Sequence, residues 1–103
     1  MGEFEHLVML AALRLGRDAY GVSIIEEIEE RTGRDVSQAA AYLTLKRLEK
    51  KGWLAGRQEE GSEARSNRER RCFEITEEGR MRLERSRSEL TNMWEGLAPG
   101  LGR

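Results

Sequence analysis

Proline, histidine and cysteine each occur once in the 103 residues, and Phe, Tyr and Trp twice each. The single cysteine, Cys72, excludes an internal disulfide and suits a reducing cytoplasm. The single histidine, His6, has no partner at metal-ligand spacing and no Ser/His/Asp constellation around it, so the sequence reads as a non-enzyme without metal or cofactor. No apolar run approaches the ~20 residues of a membrane-spanning helix. The first residues carry no basic region ahead of a long apolar stretch, which argues against a cleaved signal. The one proline, Pro99, falls in a tail from Ala98 that also holds Gly100 and Gly102 and is expected to fray.

What is present is charge. Charged residues make up 36% of the chain and apolar residues 38%, which fits a small folded core beneath a heavily charged surface. The length corresponds to about one domain, small enough to gain stability from a partner subunit. Net charge is −1 but unevenly spread: residues 42–72 hold nine Lys or Arg against five Glu, so that segment carries +4 and the remainder −5. A basic patch on an acidic body can bind phosphate, because its field acts over a Debye length of ~10 Å. Taken alone, such a cluster is more often a solvated face than a binding site.

Apolar spacing predicts four helices and a hairpin. Phe4, Leu7, Val8, Leu10, Ala11, Ala12 and Leu15 recur at helical intervals over residues 3–15 as a wide stripe that Gly16 ends. Asp18 is the expected cap of a second helix, with Tyr20, Ile24, Ile25 and Ile28 facing inward, Glu26, Glu27, Glu29 and Glu30 outward, and Gly33 as its stop. Gly21 weakens a helix by up to ~1 kcal/mol relative to Ala, which points to close packing there. Ser37 caps a third helix. Its core face carries Ala41, Leu45 and Leu48, and the opposite face Ala39, Leu43, Lys46, Arg47 and Lys50, with Gln38 and Tyr42 at the edge. Gly52 stops this helix, and Trp53 and Leu54 return to the core. Residues 54–59 and 70–75 then pair as strands around a loop with Gly61 and Ser62 for the turn and Arg65 and Arg68 at its tip. Thr76 caps the last helix, where Glu77 and Glu78 suit the positive end of the helix dipole. Leu83, Leu90 and Leu97 repeat every seven residues, with Met93 and Trp94 between them, a seam that one helix cannot bury alone.

Together these elements predict a mainly α fold with a small β-hairpin. The expected division is a winged helix-turn-helix DNA-binding domain over residues 1–75, a dimerisation helix over residues 76–97 and a flexible tail over residues 98–103, in one continuous domain. A helix followed by an arginine-rich hairpin can grip a duplex, with the helix in the major groove and the hairpin on the backbone. The details resemble the PadR family of bacterial transcriptional regulators. Tyr20-Gly21 followed by Ile24-Ile25 is similar to the family's second-helix opening. Tyr42, Leu45, Lys46, Arg47, Leu48 and Gly52 fall where its "LYPxLKRLEKxG" stretch has them. Arg70-Arg71-Cys72-Phe73-Glu74-Ile75-Thr76-Glu77-Glu78-Gly79 resembles its "RRKYYxLTEEG" wing exit. The likeness covers roughly residues 4–90, and the single last helix looks like the compact branch of the family. Ala39-Ala40-Ala41 stands where the family usually has Gly-Thr-Leu, and Leu43 replaces its usual proline.

The resemblance implies a homodimeric, sequence-specific DNA-binding regulator acting as a repressor. The candidate DNA contacts are Ser37, Gln38, Tyr42, Lys46, Arg47 and Lys50 on the helix and Arg65, Arg68, Arg70 and Arg71 on the wing. Gln38 and Tyr42 are assigned to base edges, and Lys46 and the wing arginines to phosphate. The candidate dimer surface is Phe4, Leu7, Leu83, Leu90, Met93, Trp94 and Leu97. The resemblance also implies a small hydrophobic or aromatic effector, for which Trp94 is a candidate by its face, against the plainer reading of an interface aromatic. The competing function is a winged-helix module that has given up DNA for a protein partner, favoured by the acidic overall balance and by Leu43. Cys72 reads as a small packed residue rather than a redox sensor. If the wing grips the backbone, neutralising Arg65 and Arg68 together should lower duplex affinity and flatten its salt dependence by about two units of log–log slope, with little change in sequence preference. An unchanged slope would show that the wing does not touch phosphate.

Overall fold

The computed structural model describes residues 1–59 and 71–97. Arg65, Arg68 and Arg70, the rest of the loop between the strands and the tail from Ala98 lie outside the described residues. Helices α1 (Glu3–Leu15), α2 (Gly21–Thr32) and α3 (Gln38–Lys50) precede the antiparallel strands β1 (Leu54–Gln58) and β2 (Arg71–Ile75), and α4 (Glu77–Trp94) follows. This is the expected winged helix-turn-helix order, mainly helical with one hairpin.

Helix α1 occupies the centre and touches α2, α3, α4 and β2. Its neighbours on several sides bury Met9 along with Val8, Ala11 and Ala12, although Met9 lies off the predicted stripe. Leu10, on that stripe, is exposed instead. Gly16 ends α1 with φ 59° and Gly33 ends α2 with φ 77°, so both predicted glycine stops hold.

Asp18 does not cap α2. Residues Gly16–Asp18 form a 3-10 turn, and Ala19-Tyr20 then pairs with β2: the Phe73 amide donates to the Ala19 carbonyl at 2.9 Å, and Tyr20 bridges Cys72. Backbone committed to a sheet cannot enter a helix, so α2 starts only at Gly21, with Tyr20 in the N-cap position and no side-chain cap. Ile24 and Ile28 are buried as expected, while Tyr20 and Ile25 are half-buried. Of the four glutamates assigned outward, Glu26 and Glu30 are exposed. Glu27 and Glu29 are half-buried by partners, Glu27 accepting from Arg14 at 3.2 Å and Arg31 at 2.6 Å, and Glu29 from the Val36 amide at 3.0 Å.

The close packing expected at Gly21 is present. A Cβ there would lie 2.6 Å from the Tyr42 hydroxyl oxygen and 2.7 Å from its ring carbon Cζ, so α3 seats Tyr42 on α2 where only glycine leaves room. Ser37 caps α3 by accepting from the Ala40 amide at 3.2 Å, and Ala41, Leu45 and Leu48 form its core face, joined by Thr44.

A second glycine contact joins α4 to the rest. Thr76 caps α4 by accepting from the Gly79 amide at 2.9 Å, and its hydroxyl donates to the Gly52 carbonyl at 2.7 Å. The Thr76 amide donates to the Trp53 carbonyl at 3.1 Å. Gly79 packs directly on that peptide: a Cβ would come within 2.9 Å of the Trp53 carbonyl carbon and closer still to its oxygen. Leu54 enters the core, but Trp53 is only half-buried at the rim. Its ring carries the Lys51 ammonium at 4.7 Å and the Arg82 guanidinium at 5.0 Å from its centroid, contacts that need an open aromatic face.

Two further expectations for α4 change. Leu83 faces inward and is 6% exposed, so it belongs to the protomer's own core rather than to a seam. The helix ends at Trp94, where Gly96 turns the chain with φ 87°, which removes Leu97 from the helical stripe. Replacing Gly79 by Ala should destabilise the fold by about 1–3 kcal/mol through overpacking against backbone that cannot rotate away, despite the better helix propensity of alanine. A thermal or denaturant melt checks this, and a melt unchanged from wild type would contradict the contact.

Candidate nucleic-acid interface

The α3 N-cap leaves the first turns of the helix free of side-chain cover. Gln38, Ala39, Ala40, Leu43, Lys46, Arg47 and Lys50 are all exposed. Ala39, Leu43, Lys46 and Lys50 follow one another at intervals of four, three and four residues, so they form a single row along the helix. Beside this row, between α3 and β2, lies a hollow of about 610 Å³ lined by Ala39, Tyr42, Leu43, Lys46, Arg71 and Phe73, with Glu49 at its edge.

Tyr42 is an α3 candidate whose ring turns inward. Its ring is half-buried against Gly21, which places it on the wall of the hollow rather than at the outer crest. Ser37 is exposed, but its oxygen is engaged by the Ala40 amide. Gln38 is thus left as the amide-bearing side chain at the exposed start of the helix.

Ion pairs sort the basic residues into two sets. Arg71 pairs with Glu49, and the two side chains close over Gly56, where a Cβ would lie 2.5 Å from the Glu49 carboxylate and 2.7 Å from the Arg71 guanidinium. This pair ties the wing strand β2 to α3. Arg47 and Lys51 turn towards Glu5 of α1, at 3.7 Å and 3.1 Å. Burial alone would push the Glu5 carboxyl up. The Gly2 amide hydrogen bond, the hydrogen bond and charge of Lys51 and the charge of Arg47 outweigh it and hold Glu5 below its ordinary value, so it stays ionised and keeps both cations. The ion pairs of the described residues leave Lys46 and Lys50 without a carboxylate partner. The free cations of α3 therefore lie on the same row as Ala39 and Leu43.

Cys72 is buried behind this surface. Its thiol donates to the Arg17 carbonyl at 3.6 Å and accepts from Arg57 at 3.7 Å. Burial pushes the thiol above its ordinary pKa, opposed by Arg57 and reinforced by Glu59, Glu74 and Asp18, so it is a packed group rather than a thiolate nucleophile. Among the described residues no cluster of His, Cys, Asp or Glu could hold a metal ion, and no helix is long and apolar enough to cross a membrane.

An exposed, N-capped helix joined to a hairpin by an ion pair, on three packed helices, sets the fold for comparison with known proteins. The sequence model of the transcriptional regulator PadR-like family matches residues 9–85. The chain belongs to the PadR-like family. A crystal structure of a PadR family transcriptional regulator from Eggerthella lenta DSM 2243 is similar to it, with a TM-score of 0.68 and 26% identity over 87% of this chain and 76% of that one. Among curated proteins there is no significant match. This PadR-like chain is thus a transcriptional regulator.

Sequence reasoning placed the exposed α3 residues on one face but missed the acids that restrain two of the arginines. Glu49 carries a faint signal, as the lone acid in a run of Lys and Arg from 46 to 51. Glu5 carries none, because its partner Lys51 is 46 residues away. On a duplex, the Gln38 amide can pair with adenine, whereas Lys46 lies further along the exposed row, where a flexible ammonium finds phosphate. Gln38→Ala should therefore change which sequences are bound, and Lys46→Ala should weaken all sequences alike. Binding assays on a panel of duplexes check both, and the opposite pattern would reverse the two roles.

Proposed function

We propose that this PadR-like regulator binds double-stranded DNA as a homodimer and represses transcription by occupying its operator. DNA binding is supported most directly by the exposed row on α3, where a start bearing Gln38 leads into Lys46 and Lys50, which have no carboxylate partner among the described residues, beside a strand that Arg71 and Glu49 hold in place. A recognition helix offers base-reading side chains near its N-terminus and phosphate contacts towards its flanks, and this row has that polarity. Repression follows from occupancy, since two α3 helices on successive major grooves about 34 Å apart would cover a promoter.

Dimerisation is supported by α4. From Arg87 to Leu97 every residue is exposed in the single protomer. Leu90, Met93 and Trp94 are 53, 77 and 54% exposed, an apolar surface with nothing over it. Phe4 and Leu7 of α1 are half-buried against the protomer's own core and would contribute only their outer edges. Trp94 on that surface is also the candidate for stacking a flat aromatic effector, which would quench its fluorescence and leave a Trp94→Phe variant without that change.

The wild type should sediment as a dimer at micromolar concentration, and Leu90→Asp as monomer or aggregate. A cleanly monomeric wild type would remove the dimer from the proposal. Genomic DNA fragments retained by the immobilised chain should converge on a few sites with two-fold symmetry. No retained DNA would overturn DNA binding and favour a protein partner for the α3 face.

A further inference from the structure

We infer that Leu43, flanked by Ala39 and Ala40, reads thymine methyl groups in the major groove, so that the centre of each half-site is rich in A·T pairs. This rests on the DNA-binding proposal above and names the specificity of the same surface. Leu43 stands midway along α3 with 63% of its surface exposed, although the core face of that helix is already complete in Ala41, Thr44, Leu45 and Leu48. It packs nothing essential in the protomer. It stands second in the exposed row, with Ala39 before it and Lys46 and Lys50 after it, and it lines the hollow between α3 and β2.

The hydrogen-bonding capacity of the N-terminal half of this face is small. The Ser37 oxygen accepts in the cap and keeps its O–H, and Tyr42 lies against Gly21, which leaves Gln38 as the amide able to donate and accept together. The rest of what a base edge would meet is methyl and isobutyl. In the major groove only thymine presents a methyl group; cytosine presents an amino donor there, and guanine two acceptors. An apolar side chain set against a cytosine or guanine edge strips water from those groups without replacing its hydrogen bonds, an unfavourable exchange. Against thymine it buries a methyl instead. Gln38, which suits adenine, and Leu43, which suits thymine, thus favour the same class of base pair. The apolar element is confined to three residues bordered by Lys46, Arg47 and Lys50, so its charge complements phosphate rather than an apolar protein surface.

The test uses the full chain and a duplex selected by it from a random-sequence pool. Each thymine of the selected site is replaced in turn by deoxyuridine, which lacks only the 5-methyl group. At one or two positions in each half-site the wild type should lose about three- to fivefold in affinity, the value of one buried methyl. The Leu43→Ala variant, whose folding is checked by circular dichroism, should be indifferent to the same replacements. This second arm removes any effect of deoxyuridine on duplex stiffness, which both proteins would feel equally. Equal wild-type affinity for every substituted duplex overturns the inference and leaves DNA binding standing. A Leu43→Ala protein that keeps the wild-type sensitivity overturns it also. A chain that selects no duplex at all overturns DNA binding and this inference together.

Discussion

The contact of Gly79 with the Trp53 peptide is the constraint through which the parts of this regulator meet. The end of α3, the start of β1, the end of β2 and the start of α4 all pass within a few residues of it. Thr76 closes the junction with three hydrogen bonds, to Gly52, to Trp53 and from Gly79. Any side chain at position 79 would push α4 off the backbone that fixes the base of the hairpin. Helix α3, the hairpin and the helix carrying the exposed apolar surface are therefore held to one another by backbone geometry. Core packing alone, which tolerates slippage between similar apolar side chains, would hold them less firmly. In a dimer built on α4, such a junction would set the spacing of the two α3 helices.

A second layer of control is electrostatic. Five basic residues lie between Lys46 and Lys51 or at Arg71 on the described surface, and carboxylates claim three of them: Glu5 holds Arg47 and Lys51, and Glu49 holds Arg71. These pairs join a solvent-facing cation to a more sheltered carboxylate and are not needed to account for the stability of the fold. Their consequence is positional, since among the described residues they leave Lys46 and Lys50 as the α3 cations without a carboxylate partner and brace β2 against the same helix. An overall charge of −1 is therefore no obstacle to phosphate binding, because the acids either lie elsewhere or neutralise particular partners.

Much of the fold was legible in the sequence because its signals are local. Ser37 and Thr76 cap the helices assigned to them, Gly16 and Gly33 stop theirs, and the 3.6-residue period of Ala41, Leu45 and Leu48 marked the inward face of α3. Apart from Leu97, which the turn at the neighbouring Gly96 takes off the stripe, the differences concern partners distant in sequence. Asp18 had every property of a cap, but pairing of Ala19 and Tyr20 with β2 delayed the helix. Leu83 has the right spacing for a dimer seam, but α1 was already there to cover it. Tyr42 stands at the edge of the outer face by angle, and the gap left by Gly21 lets its ring rest on α2. Periodicity reports which side of a helix a residue occupies, and tertiary packing decides where a long side chain finally rests.

If the cations of the α3 row hold the phosphate backbone as proposed, duplex binding by the wild-type chain must fall with added salt. Each neutralised phosphate contributes about −0.9 to the slope of log K against log salt. With Lys46 and Lys50 from each protomer of a dimer, a straight line with a slope of about −3.5 or steeper is expected. A slope near zero, or no binding at low salt, would contradict it.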